Sequence, residues 1–143
     1  MKYWLSLALL LLLFGAASAE TLSVAVNKAP IYNKPISPRY VVLEVPLYYP
    51  LLVVKEQDDF YRVKDYRGRS GWIRKEHLND NETIVIRGNQ VNIRNGPGLD
   101  QPIVLKGHAG VALRVIGEKE DWLEVEHESG LKGWIAESLT WGR

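Results

Sequence analysis

The chain has 143 residues, 18 basic and 17 acidic side chains, three histidines and no cysteine. Without cysteine it holds no disulfide, no thiolate metal site and no cysteine nucleophile. The near-balanced charge, formally +1, lacks the basic excess of a nucleic-acid binder.

Residues 1–19 read as a secretory signal peptide. Lys2 supplies a positive start, Leu5 to Phe14 an apolar stretch, and Ala17-Ser18-Ala19 a small-residue cleavage site. The stretch is short for a membrane span, which needs about 20 residues. The expectation is an exported chain, periplasmic or secreted, with no integral membrane span after cleavage.

The remainder contains a repeat. Residues 53–74 and 115–136 align without a gap at an offset of 62, with eight of 22 positions identical, Gly71-Trp72-Ile73 and Gly133-Trp134-Ile135 among them. A repeat this long sets the structural unit. The expected division is a first unit at 20–78, a linker at 79–82 and a second unit at 83–143. The linker is the polar, turn-forming Asn79-Asp80-Asn81-Glu82.

In the first unit, Val24-Ala25-Val26 aligns with Val91-Asn92-Ile93 at an offset of 67. This alignment implies five extra residues in a Pro35- and Pro38-containing loop at 31–42. Leu43 to Val54 carries few charges. Leu52 stands where the second unit has Arg114, and Tyr48 where it has Gly110. Tyr48, Pro50 and Leu52 therefore mark an apolar outer patch. Such a patch suits contact between the two units or with an outside partner.

The second unit reads as strand throughout. Val91-Asn92-Ile93 alternates apolar and polar residues. Asn95-Gly96-Pro97-Gly98 turns the chain. Val111 to Ile116 is a β-branched strand, and Gly117 to Asp121 a charged hairpin connection. Trp122 to Val125 points Leu123 and Val125 one way and Trp122 and Glu124 the other. Lys132 to Ile135 forms the next strand, and Ala136 to Ser138 a short helical turn. Five short strands in about 60 residues imply a small closed barrel, since closure removes edges.

No set of residues suggests catalysis. His77, His108 and His127 lack metal-ligand spacing and read as surface residues. The acidic cluster Glu118 to Glu128 reads as a solvated hairpin. No metal and no cofactor is implied. Binding is the better class, and aromatic faces suit it. Trp122 reads equally as groove or packing residue. Trp72 and Trp134, beside glycine in both repeats, read as packing. Arg94 either contacts a carboxylate or pins its own turn.

Val91-Asn92-Ile93-Arg94-Asn95-Gly96-Pro97-Gly98, the Trp122-Leu123-Glu124-Val125 strand and Gly133-Trp134-Ile135 resemble a bacterial SH3 (SH3b) domain. Residues 84–139 carry nearly the whole pattern. The first unit carries its second half, with Asn27 at the place of Arg94 and Ala29 at that of Gly96. The resemblance implies an all-β chain of two small SH3-like β-barrels in tandem and a non-catalytic binding role. The ligand expected from it is a cell-wall glycopeptide, peptidoglycan or its stem peptide. The candidate binding residues are Trp122, Arg94, Asn95, Gly98 and Glu124, with Phe60 and Tyr66 as first-unit equivalents. The alternatives are an envelope protein as partner, or an accessory role beside a wall hydrolase.

Overall fold

The computed structural model describes residues 19–143. The signal segment at 1–19 lies outside them, apart from Ala19. The described chain is all β-strand, with two single-turn 3-10 helices at Lys75–His77 and Glu137–Leu139. Within it no helix is long and apolar enough to cross a membrane.

Fourteen strands form two seven-stranded antiparallel sheets. The first contains β1 (Glu20–Val24), β2 (Lys28–Tyr32), β3 (Val41–Pro46), β4 (Pro50–Gln57), β5 (Phe60–Lys64), β6 (Ser70–Arg74) and β7 (Leu78–Asn79). The second contains β8 (Thr83–Ile86), β9 (Val91–Arg94), β10 (Ile103–Gly107), β11 (Ala112–Lys119), β12 (Trp122–Glu126), β13 (Lys132–Ala136) and β14 (Thr140–Gly142). Their strand orders are β3-β2-β6-β5-β4-β1-β7 and β10-β9-β13-β12-β11-β8-β14, the same path twice. These are two SH3-like barrels in tandem.

Several details differ from the sequence reading. Each sheet has seven strands rather than five. β10 had no counterpart in the reading, because Ile103-Val104-Leu105 is an unbroken apolar run without the alternation that marks a strand. The hydrogen-bonded order begins and ends without a pairing between β3 and β7, or between β10 and β14, so the barrels are partly open. Gly117 is not part of the hairpin connection. It sits inside β11 at a register shift opposite β12, and the turn is only Glu120-Asp121.

The largest correction is the first unit's register. Ala29 faces Val45 and Ile31 faces Leu43, as Val91 faces Gly107 and Ile93 faces Leu105. Tyr32 pairs with Trp72 as Arg94 pairs with Trp134. The offset is therefore 62 throughout, and the first unit has no five-residue insertion. Tyr32, not Asn27, occupies the place of Arg94, and Lys34, not Ala29, that of Gly96. Asn33 and Pro35 then coincide with Asn95 and Pro97. Val24-Ala25-Val26 resembles Val91-Asn92-Ile93 in apolar character, whereas Pro30 inside β2 weakens the strand signal of the true counterpart.

The two barrels share a core boundary. All four residues of β8 are buried. Ile84 and Ile86 point into the second core, while Val85 joins the first core together with Ala112 from β11. Trp141 on β14 packs against that same cluster. This row, Trp141, Val85 and Ala112, is continuous across three paired strands.

Candidate functional site

A groove of about 260 Å3 lies on the outer face of the second barrel. Its lining includes Gln90, Asn92, Arg94, Leu99, Trp122 and Ala136. The alternation of β12 explains its aromatic wall: Leu123 and Val125 are buried, which turns Trp122 outward. Arg94 ends β9, and its Nη1 donates to the Gln101 carbonyl at 2.9 Å. That bond pins the loop from residue 95 to 102 and leaves the guanidinium plane on the groove wall. The Gly96-Pro97-Gly98 turn delivers Leu99, which is 79% exposed. Sequence reasoning missed Leu99; its signal was a large aliphatic residue inside an otherwise polar turn.

The other candidates fall elsewhere. The Asn95 amide donates to the Pro102 carbonyl, and the Gly98 carbonyl accepts from Gln101. Both shape the loop and neither lines the groove. Glu124 lies over Gly117, where a Cβ would come within 2.8 Å of its Oε2.

In the first barrel the equivalent groove is sealed. Phe60, at the place of Trp122, is buried. Its ring meets Tyr32 edge-on, with centroids 6.3 Å apart. The Arg39 guanidinium lies 5.0 Å from the Tyr32 centroid and 5.1 Å from that of Phe60, and Arg74 lies 5.0 Å from Phe60. Two cations thus cover the aromatic face. Tyr66 is not part of this region. It stacks edge-on with Tyr49 at 6.5 Å, and its hydroxyl lies against Gly110 of the second unit.

Tyr48 and Pro50 also face the second unit. Arg114 lies 5.9 Å above the Tyr48 ring, and Pro50 lies against Gly142. Leu52 is half-buried between Thr21 and Lys64 in the sheet. Arg114 also donates to Glu126 at 2.7 Å, which holds that carboxyl below its ordinary value. His77 is half-buried rather than a surface residue, and its Nδ1 is enclosed without a partner among the described residues. Those residues contain no cluster of three or more His, Asp or Glu side chains that could hold a metal.

Comparison with known proteins gives a family-model match to both repeats. The family model described as "Bacterial SH3 domain" matches residues 25–80 and 87–142, two spans again separated by 62. A 55-residue stretch is 34% identical to the Bacillus subtilis (strain 168) protein named "Putative N-acetylmuramoyl-L-alanine amidase YrvJ". The match covers 38% of this chain and 11% of that protein, so the chain spans about a tenth of this relative. Among solved structures, NlpC1 from Trichomonas vaginalis matches at a TM-score of 0.40 and 14% identity, over 88% of this chain and 46% of that one. An NlpC/P60 family protein from Bacillus cereus ATCC 10987 matches at 0.41 and 13%, over 85% and 56%. With the repeats matched from β2 to β7 and from β9 to β14, the chain belongs to the bacterial SH3 domain family as a tandem pair.

Proposed function

We propose that the protein is an exported, non-catalytic module that binds cell-wall glycopeptide, peptidoglycan or its stem peptide, through the Trp122 groove. The carrying observation is the asymmetry between the repeats: the second barrel keeps its aromatic face open, while Arg39 and Arg74 close the first. A flat indole beside a guanidinium and an exposed leucine suits a ligand with apolar faces and carboxylates. The sequence likeness to the protein named as an amidase supports a cell-wall ligand.

The test is sedimentation of the purified protein with insoluble peptidoglycan. Trp122→Ala should weaken binding at least tenfold, the size of an aromatic hot spot. Leu99→Ser should weaken it with no loss of folding, because that side chain is exposed. Phe60 should contribute nothing directly. Wild-type protein that stays in the supernatant, or variants that sediment as well as wild type, would refute the proposal.

A further inference from the structure

A second cavity enters the end of the second barrel, and the first barrel has the same space filled. It measures about 190 Å3 and is lined by Ile86, Ile93, Val111, Leu113 and Val125. His108, His127, Lys106, Lys132 and the exposed Leu131 stand at its mouth. The uniform offset puts Tyr49 at the place of Val111, Asp65 at that of His127 and Arg69 at that of Leu131. Tyr49 has the same inward parity as Leu51 and is buried. Its hydroxyl donates to Asp65 Oδ2 at 3.0 Å and accepts from Arg69 Nη2 at 3.3 Å. Arg69 Nε also donates to that carboxylate at 2.7 Å. The tyrosine ring is a latched plug.

The second barrel lacks this plug. Val111 replaces the ring and Gly107 replaces Val45, while Ile86 in place of Val24 returns a single carbon. An aliphatic cavity of about 150 Å3 admits benzene, so this one holds a ring with a substituent. The polar end has changed sign as well. Asp65 has given way to His127, Glu44 to Lys106 and Ser70 to Lys132. The Ser129 amide donates to His127 Nδ1 at 3.2 Å, which places the neutral ring's hydrogen on Nε2 as a free donor. Lys132 is 3.5 Å from Glu126, whereas Lys106 has no ion pair among the described residues.

We infer that this cavity binds a small aromatic carboxylate, its ring in the place that Tyr49 takes in the first barrel and its carboxylate at the mouth beside Lys106 and His127. The inference is independent of the Trp122 groove. The ring's burial supplies most of the affinity, and the exposed cation contributes selectivity of severalfold at most.

The experiment is a titration of methyl-labelled protein with phenylacetate and with its neutral isostere phenylacetamide, read by NMR. Phenylacetate should give saturating shifts at Ile86, Ile93, Leu113 and Val125, and phenylacetamide should bind about threefold more weakly. The triple variant Val111→Tyr, His127→Asp, Leu131→Arg rebuilds the plug and should abolish the shifts. Lys106→Glu, at the exposed rim, guards against misfolding of that variant: it should weaken phenylacetate and spare phenylacetamide. Absence of saturating shifts, or shifts centred on Leu99 and Leu139 of the Trp122 groove instead, overturns the site. Equal affinity for the two probes overturns the anionic head.

Discussion

Gly71 and Gly133 occupy the same point of the two barrels, yet they are not equally replaceable. A Cβ on Gly71 would collide with Ile31 and approach the Tyr32 carbonyl to 2.8 Å; on Gly133 it would collide with Ile93 and stay 3.2 Å from the Arg94 carbonyl. A side chain can rotate away more easily than backbone can move. Gly71→Ala should therefore cost more than Gly133→Ala, both within the roughly 1–3 kcal/mol of an overpacked core, as read by denaturant unfolding. Tyr49 makes a second prediction. Burial, then the Asp65 carboxylate, pushes its hydroxyl pKa well above the ordinary value of 10.0. Its folded pKa is raised, so above about pH 10 the unfolded chain releases this proton first. Stability should fall through that range, and Tyr49→Phe should flatten the decline in thermal melts.

At the level of elements, the second unit was the legible one. Its β12 and β13 follow from alternation, and its short helical turn from position. The first unit misled because β2 contains Pro30, which faces Glu44 across the ladder to β3. A proline without an N–H weakens the strand signal where the pattern most needed it. The groove was half legible: Trp122 and Arg94 came from sequence, but the sealing of Phe60 depends on Arg39, which reaches it across a loop that no spacing rule links. The plugged and open cavities could have been read from the offset, by comparing side-chain sizes at inward positions such as Tyr49 and Val111. The β11–β12 hairpin carries a testable cost of its own. Glu120 has φ 53°, a left-handed conformation that L-residues resist. Glu120→Gly should raise stability by about 0.5–1 kcal/mol, measured as a higher midpoint in denaturant.

For the whole molecule, Val85, with Ala112 and Trp141, joins the two barrels at a shared core. Val85 belongs to β8 of the second sheet and to the core of the first. Calorimetry should show a single transition for the wild type. Val85→Asp buries a charge with no partner and should cost several kcal/mol, splitting the melt into two. The row that carries Val85 has a further consequence during folding. Two copies of one strand order invite a strand to join the wrong copy. β7 and β14 each close a sheet, on β1 and on β8. An exchange would set Trp141 beside Ser23 and Asn79 beside Val85, leaving an indole against a hydroxyl and an amide against a methyl surface. The unlike chemistry of these two rows acts as a sorting rule that sends each closing strand to its own barrel.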